Sequence, residues 1–159
     1  MEEQDLQVRK LKGKDVSAGK EMDEASGFYV AQWLEDLESD EEASDAYGLF
    51  LDGELIGYCT LGYADGLDIT TDYDSRLLSD VYVKPEYRHL GYGSKIVSEA
   101  LQQETDCRYH DTYLTYLHDR LEDFYKPLGF VHAEGTDNVM MKPVELELAR
   151  NDETNELEI

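Results

Sequence analysis

Apolar and polar residues alternate along several short stretches of the 159-residue chain. Alternation with a period of two places every second side chain on the same face, which is typical of a strand with one buried face. Glu54–Tyr63 is one such stretch, and Tyr47–Leu51 precedes it across a turn. The pattern predicts further strands at Leu6–Leu11, Leu77–Val83, Thr112–Leu117, Phe130–His132 and Asn138–Lys142, of which the last two are expected to pair.

Apolar residues recur every three or four positions in two longer segments, which predicts helices with one apolar face. The first segment runs from Ser17 to Leu37, and the dipeptide Ser26-Gly27 is expected to divide it into two helices. The second segment begins near Gly91 and ends near Glu104. The strands and helices together predict a mixed α/β (α+β) layer fold.

Short sequence signals predict where the chain turns. Asp52-Gly53 lies between two strand-like runs, and this pair is favoured in a type I′ turn because both central residues need positive φ. Asp119 and Glu122 have the spacing of a capping box ahead of a short helix that reaches Tyr125. Gly129 is expected to end that turn before the next strand.

The composition adds a strong negative charge to this picture. The chain has 37 acidic and 14 basic residues, which gives a formal net charge of −23 at pH 7. Glu35–Asp45 contains seven of the acids and is expected to be an exposed loop or helix end, and Ala64–Ser75 is expected to be a polar surface loop. This charge argues against a nucleic-acid partner, which requires clustered Lys and Arg. It permits a cationic substrate, although solubility alone would also explain it.

Length and hydropathy set the expected organisation of the chain. One domain is expected over residues 1–143, followed by an acidic tail over 144–159. The apolar runs are far shorter than the roughly 20 residues needed to span a membrane, and the first residues lack the pattern of a signal peptide. We therefore expect a cytoplasmic protein with no membrane partner. Cys59 and Cys107 form neither a disulfide framework nor a metal-type pair, so no metal is expected.

One segment carries most of the chemical information. The strand Leu77–Val83 is followed by a loop that contains Gly91 and Gly93, and then by the start of a helix. Glycines let backbone N–H groups approach an anion, and the helix start adds unpaired N–H groups and the positive end of its dipole. This arrangement suits a pyrophosphate, although two glycines there are also consistent with simple capping. A dinucleotide fingerprint would need a third glycine where Ile96 stands.

Two motifs resemble those of the GNAT acetyltransferase family. Arg88-His89-Leu90-Gly91-Tyr92-Gly93 is similar to the family's Arg/Gln-x-x-Gly-x-Gly/Ala loop, and the strand before it resembles the family's fourth strand. Further along, Phe124-Tyr125-Lys126-Pro127-Leu128-Gly129-Phe130 resembles the family's Tyr-x-x-x-Gly-Phe motif. The resemblance implies the GNAT fold, which is a mixed, mostly antiparallel sheet of six to seven strands. About four helices would flank this sheet, and its fourth and fifth strands would splay apart.

The same resemblance implies a binding site for acetyl-CoA, the expected cosubstrate. Backbone groups of the fourth strand would bond the acetyl carbonyl and the pantetheine arm, and amides of the following loop would hold the pyrophosphate. His118 stands where many relatives carry an Asn that bonds the pantetheine, and a histidine can donate the same bond. The residues implied in cosubstrate binding are Val81, Tyr82, Val83, Arg88, His89, Leu90, Gly91, Tyr92, Gly93, Ser94 and His118.

Acetyl transfer to an amine needs a neutral amine and a proton for the departing thiolate. A phenol, with a reference pKa of about 10, can supply that proton. Tyr125 falls on the family's tyrosine position and is implied as this acid, with direct attack by the amine and no acyl-enzyme. Asp80 resembles the Asp of a Glu-Asp-x-x-Val pattern in amine-acetylating relatives, but Ser79 stands at the Glu position. Asp80 is therefore left with three roles: a base acting through water, a binder of the cationic amine, or a stabiliser of the strand edge.

The expected function is N-acetylation of a primary amine. The expected acceptor is a cationic small molecule such as a polyamine or an aminoglycoside-like amine, and a lysine-bearing protein is an alternative. A non-catalytic acyl-CoA-binding module would keep the fold without turnover, and the departures at Ser79 and His118 leave this open. An acidic protein-interaction domain would explain the charge but would make both motifs coincidences. Relatives of the family often dimerise, so a homodimer is also open.

Overall fold

The computed structural model describes residues 5–64, 74–116 and 120–144. Its strands form a seven-stranded sheet in the order β1-β2-β3-β4-β5-β7-β6. They are β1 Leu6–Lys12, β2 Glu42–Leu51, β3 Glu54–Tyr63, β4 Arg76–Val83, β5 Thr112–Thr115, β6 Val131–His132 and β7 Val139–Lys142. The α-helices of the described ranges are α1 Val16–Ser26, α2 Tyr92–Gln103, α3 Asp106–Tyr109 and α4 Leu121–Tyr125. Short 3₁₀ turns lie at Gly13–Asp15, Val30–Trp33, Pro85–Tyr87 and Lys126–Leu128.

The sheet is mostly antiparallel, as the family resemblance implies. β2 pairs with β1 and β3, and β7 pairs with β5 and β6, all in antiparallel register. β4 and β5 are parallel, and their register runs from Arg76↔Thr112 to Leu78↔Leu114. β4 itself continues to Val83. This short parallel register is compatible with the predicted splay of the two strands.

The hairpin between β2 and β3 has the predicted turn. Asp52 has φ 50° and Gly53 has φ 84°, so both central residues adopt the positive φ that a type I′ turn needs. Asp52 is also tied to the start of β1, because its N–H bonds to Asp5 O at 2.7 Å and its Oδ1 accepts from Asp5 N at 2.9 Å. The sequence prediction for this turn is confirmed.

The backbone divides into two compact units, which are described separately. The first comprises residues 1–61 and 80–100, and the second comprises residues 62–79 and 101–159. The division passes through β4, so Asp80 is the first residue of that strand to belong to the first unit. The single domain expected over residues 1–143 remains a prediction.

The core of the first unit is built from α1, the 3₁₀ turn after it and the first four strands. Gly27 adopts φ 79° and its N–H bonds to Asp23 O at 2.9 Å, which ends α1 in a left-handed cap. The predicted division at Ser26-Gly27 is confirmed, although the second piece is only a 3₁₀ turn. The buried cluster comprises Leu11, Met22, Val30, Leu34, Ala43, Ala46, Phe50, Leu55, Tyr58 and Tyr82.

The second unit has a smaller apolar cluster and a buried cation. Ala64, Tyr113 and Val139 form the cluster, with Leu77, Ala133 and Met141 packed against it. Arg76 is buried, donates from Nε to Gly62 O at 3.1 Å, and pairs with Glu104 and Asp106 at 3.5 and 3.2 Å. Its guanidinium also lies 4.3 Å from the centroid of the Tyr63 ring. A buried charge needs such partners because its desolvation is costly.

The structure differs from the sequence prediction at the start of β2 and in the segment after α2. β2 begins at Glu42, inside the stretch Glu35–Asp45 that its charge predicts to be a loop or helix end. Ala43 is buried and its two neighbours are exposed, so buried and exposed residues alternate here as in a strand, although the stretch is acidic. α3 occupies part of the polar segment after α2, because four residues are too few to give a helical period in the sequence. The acidic tail over 145–159 lies outside the described residues.

Gly57 lies on β3 at a point of close approach to β4. A Cβ at this position would lie 2.7 Å from the carbonyl oxygen of Tyr82 and 2.8 Å from Cδ1 of Ile96. Because a strand carbonyl cannot move away cheaply, we expect Gly57→Ala to lower the free energy of unfolding by about 1–3 kcal/mol in urea titrations. Gly62→Ala on the same strand is the matched control, since a Cβ there meets nothing within 4 Å. An equal loss in both variants would contradict this account.

Candidate active site

The loop after β4 leads into a helix start that can accept an anion. The N–H of Lys95 bonds to Gly91 O at 3.1 Å, so Gly91 directly precedes the first turn of α2. The N–H groups of Tyr92, Gly93 and Ser94 therefore lie ahead of the first intrahelical bond of a 12-residue helix. Gly91 is exposed with φ 86°, and a Cβ there would meet nothing within 4 Å. The dipole of α2 adds positive potential to these donors.

The other residues implied in pyrophosphate binding form the exposed outer part of this loop. His89 has φ 64°, which is uncommon for a residue other than glycine, and both His89 and Leu90 are exposed. Arg88 folds back on the strand, where its Nε donates to Val83 O at 2.9 Å and its guanidinium lies 5.4 Å from the centroid of the Tyr82 ring. The remaining N–H groups of Arg88 can still donate to a phosphate. The structure thus gives Arg88 a contact that the sequence does not predict.

Asp80 is half-buried on β4 and is held there by a side chain of β3. Its N–H donates to Oγ1 of Thr60 at 3.1 Å, and Thr60 is buried. Burial raises the pKa of the Asp80 carboxyl, a hydrogen bond from Thr60 opposes that rise, and the charge of Asp23 adds to it. A carboxyl group with a raised pKa is better matched to general-base work near neutral pH than an ordinary one.

Three aromatic rings pack together in the same unit. The centroid of Phe28 lies 6.4 Å from that of Tyr58 and 6.3 Å from that of Tyr82, and the two tyrosine rings are 6.1 Å apart. The Tyr58 hydroxyl is buried, and a hydrogen bond with Ser26 partly offsets the effect of that burial on its pKa. Burial raises the pKa of Tyr58, and the charges of Asp80 and Asp23 add to the rise, so the phenol stays neutral. The aromatic rings and the nearby carboxylates together favour binding of a cation.

The sequence interpretation misses Thr60 and Tyr58 as neighbours of Asp80, and Phe28 as a neighbour of Tyr58. A usable signal was present, because alternation places Tyr58 and Thr60 on one face of β3 and Asp80 and Tyr82 on one face of β4. Phe28 carries no such signal, since it lies in an irregular segment after α1.

A cleft of about 180 Å³ opens in the first unit beside Tyr82. Two carboxylates, those of Glu21 and Glu86, face one cation, Lys84, which also pairs with Glu54 at 3.3 Å. The full lining is Glu21, Met22, Ala25, Tyr82, Lys84, Pro85 and Glu86. The cleft therefore combines apolar walls with a surplus of negative charge.

Tyr125 ends α4 in the second unit, and its ring packs edge-on against two phenylalanines. The ring centroids lie 4.9 Å from Phe124 and 5.8 Å from Phe130. Phe130 is fully buried, and its N–H bonds to Tyr125 O at 3.3 Å. Gly129, with φ 100°, ends the 3₁₀ turn between them as predicted. The Tyr-x-x-x-Gly-Phe spacing thus folds into a compact turn that fixes the tyrosine ring.

The capping box predicted for Asp119 and Glu122 stays a prediction, because Asp119 lies outside the described residues. The N-cap residue is Arg120, and it makes no side-chain capping bond. The carboxylate of Glu122 accepts a hydrogen bond from the hydroxyl of Tyr116. His118 also lies outside the described residues, so the implied bond from His118 to the pantetheine remains a prediction.

The described ranges contain neither a side-chain cluster of the kind that holds a metal nor an apolar helix of membrane-spanning length. Over residues 5–64, 74–116 and 120–144, no three His, Cys, Asp or Glu side chains are placed to hold a metal ion. In that same part of the chain, no helix combines the length and apolar character needed to cross a membrane. Cys59 and Cys107 form no disulfide within the described ranges, and Cys59 is buried as its apolar strand predicts.

Thr60 offers a test of the environment of Asp80. In Thr60→Val the hydrogen bond that lowers the pKa of Asp80 is lost, so that pKa should rise, which a titration of the Asp80 carboxyl followed by NMR would measure. The variant should also lose about 1–3 kcal/mol of stability, because the N–H of Asp80 is left without its partner. Thr60→Ser keeps the hydroxyl and should keep the wild-type titration curve. Coincident curves for Val and Ser would show that Thr60 does not act on Asp80.

The fold, the anion-accepting loop and the tyrosine turn agree with one family. The chain belongs to the acetyltransferase (GNAT) family, whose family model matches residues 15–130. It is 36% identical over 90 residues to the thialysine N-epsilon-acetyltransferase of Sus scrofa, a match covering 52% of this chain and 53% of that protein. The chain thus spans about half the length of the curated relatives that it matches.

Solved structures agree with the fold at lower sequence identity. The PaiA N-acetyltransferase of Thermoplasma acidophilum, solved in complex with coenzyme A, has a TM-score of 0.55 and 22% identity, covering 87% of this chain and 99% of that one. The diaminobutyrate acetyltransferase EctA of Paenibacillus lautus, solved with its substrate L-2,4-diaminobutyric acid and coenzyme A, has a TM-score of 0.58 and 13% identity, covering 89% and 96%. At these identities the likeness extends to the fold alone.

Proposed function

We propose that this protein is an acetyl-CoA-dependent N-acetyltransferase that acts on small cationic primary amines. The observation that carries the proposal is the half-buried carboxyl of Asp80. It lies next to the strand residues that the family uses for the acetyl group, with a raised pKa and an aromatic and acidic surrounding. An ammonium group would be attracted to this position, and a base is needed there to make it nucleophilic.

The donor would be held by backbone groups rather than by charged side chains. The strand amides and carbonyls of Val81 and Val83 would bond the acetyl and pantetheine groups, and the helix-start amides of Tyr92, Gly93 and Ser94 would hold the pyrophosphate. The exposed Gly91 with its positive φ lets the chain enter that helix. The Arg88 guanidinium, fixed to Val83 O, would add one of its remaining donors to the phosphates.

The reaction needs a base that deprotonates the amine and an acid that protonates the thiolate, and the chain offers a residue for each. An aliphatic amine with a pKa of about 10 arrives protonated, and Asp80, directly or through a water molecule, takes the proton and frees the lone pair. The amine nitrogen attacks the thioester carbonyl, and the Val81 amide donates to the developing oxyanion. The carbon–sulfur bond then breaks, the Tyr125 hydroxyl protonates the leaving thiolate, and the second proton of the attacking nitrogen passes through water to restore the Tyr125 phenol. The products are an N-acetylamine and the free thiol of CoA.

The acceptor class follows from Asp23, whose charge acts on Asp80, and from the acidic cleft beside Tyr82. Glu21 and Glu86 line the cleft beside Tyr82, and Tyr82 packs with Tyr58 next to the Asp80 carboxyl. A second ammonium group on the acceptor would therefore meet negative charge, whereas a carboxylate would be repelled. The relatives named for thialysine and for diaminobutyrate support an amine as the acceptor.

A matched pair of acceptors tests this class. Putrescine and γ-aminobutyrate have the same chain length but end in an ammonium and a carboxylate, respectively. We expect kcat/KM for putrescine to exceed that for γ-aminobutyrate by about 10-fold or more, which corresponds to 1.4 kcal/mol or more of discrimination. The preference should shrink as salt screens the cleft. Equal or reversed values would overturn the cationic class while leaving acetyl transfer itself intact.

A further inference from the structure

A polar cluster in the second unit fixes the helix that carries Tyr125. The Tyr116 hydroxyl donates to Oε1 of Glu122, and His132 Nδ1 lies 3.3 Å from the same oxygen. His132 Nε2 in turn lies 2.7 Å from the carbonyl oxygen of Thr136. The other carboxylate oxygen of Glu122 pairs with Lys126 Nζ at 3.7 Å. One side chain on α4 is thus tied to the end of β5, to β6 and to the following 3₁₀ turn.

α4 depends on these contacts because a helix of its length is not stable in isolation. It has five residues, far fewer than an isolated helix needs, and its N-cap makes no side-chain bond. Tyr125 lies three residues after Glu122, almost one helical turn along the same side of α4. A rotation of α4 about its axis would therefore displace both side chains together. Tyr125 packs on Phe130 at one end of the helix, and Glu122 carries the polar contacts near the other end.

We propose that Glu122 is a positioning residue, which acts through Tyr116 and His132 to set the orientation of α4 and hence of the Tyr125 hydroxyl. This inference rests on the proposed role of Tyr125 as the acid that protonates the thiolate. Glu122 itself touches neither substrate nor thiol. Glu122 would act by setting geometry, because displacing a proton donor by about 1 Å can lower the reaction rate by up to two orders of magnitude.

The test separates orientation from charge and from general stability. Glu122→Ala and Tyr116→Phe each remove the bond to α4, and both should lower kcat by about 10-fold with KM for acetyl-CoA unchanged. Glu122→Gln keeps an oxygen that accepts from Tyr116 and should retain most of the activity. Asp123→Ala is the matched control, because it removes an exposed acid from the next position of the same helix.

The deciding measurement is a double-mutant cycle with Tyr125→Phe. If Glu122 acts through Tyr125, then Glu122→Ala should have no further effect on kcat in the Tyr125→Phe background. The proposal is overturned if Glu122→Ala leaves kcat unchanged, or if it lowers kcat equally in both backgrounds. A wild-type kcat for Tyr125→Phe alone would instead refute the proposed acid. If Glu122→Ala does not fold, Tyr116→Phe carries the same cycle.

Discussion

Tyr125→Phe is expected to lower kcat by about 100-fold or more while leaving CoA affinity unchanged. The phenol is the group proposed to protonate the thiolate, and phenylalanine keeps the ring that packs on Phe124 and Phe130. Only the hydroxyl is lost, so the turn around Gly129 should survive. Steady-state kinetics gives kcat, and calorimetric titration with CoA gives the affinity.

The control for this variant is Tyr109→Phe, which removes the same atom from the half-exposed tyrosine of α3. It should turn over at the wild-type rate. An unchanged kcat in Tyr125→Phe would assign the ring to packing alone and would leave the thiolate to be protonated by solvent. Parallel losses of kcat and CoA affinity would point to a damaged fold instead.

Asp80→Asn is expected to lower kcat/KM for a cationic amine by about 100-fold at neutral pH. The variant removes both the proposed base and the negative charge proposed to attract the ammonium group. In the wild type, burial and the charge of Asp23 raise the pKa of Asp80 above its usual value. The carboxylate is the active form, so kcat/KM should fall as the pH falls through that raised pKa. In Asp80→Asn this acid limb should disappear.

The stability of Asp80→Asn distinguishes a loss of activity at the site from a loss caused by misfolding. A pKa that is raised by folding means that the neutral carboxyl is favoured in the folded state, so the ionised form opposes folding once the pH is above the raised value. Asp80→Asn should therefore be at least as stable as the wild type at neutral pH. Asp36→Asn makes the same charge change at an exposed position and should leave kcat/KM nearly unchanged. An acid limb that persists in Asp80→Asn would assign the titration to another group.

The elements that were predictable from sequence are those with a strong local signal. The Asp52-Gly53 turn, the break at Gly27 and the buried face of α2 each follow from one dihedral requirement or one period. β2 was only partly predictable, because the charged residues Glu42 and Asp45 obscure the alternation of apolar and polar residues at its start. α3 was not, since its four residues make a single turn.

For the candidate site, the sequence indicates the groups that belong to motifs and misses those that come from other strands. Asp80, Gly91 and Tyr125 are each found from a local pattern. The support of Asp80 by Thr60 depends on how β3 and β4 face each other, which no local pattern fixes. Glu122 was assigned to a capping box on spacing alone, whereas its partners Tyr116 and His132 are brought to it by the fold.

The measurement that tests the central claim most directly is thiol release from acetyl-CoA by the wild-type protein with putrescine as acceptor. Product mass spectrometry should accompany it, so that each thiol released is matched by one acetylated amine. The account predicts saturable release, far above the rate without acceptor, with this stoichiometry. Saturable CoA binding without thiol release, for putrescine and for a wider panel of spermidine, an aminoglycoside and a lysine peptide, would contradict it. That result would identify the chain as an acyl-CoA-binding module instead of an acetyltransferase.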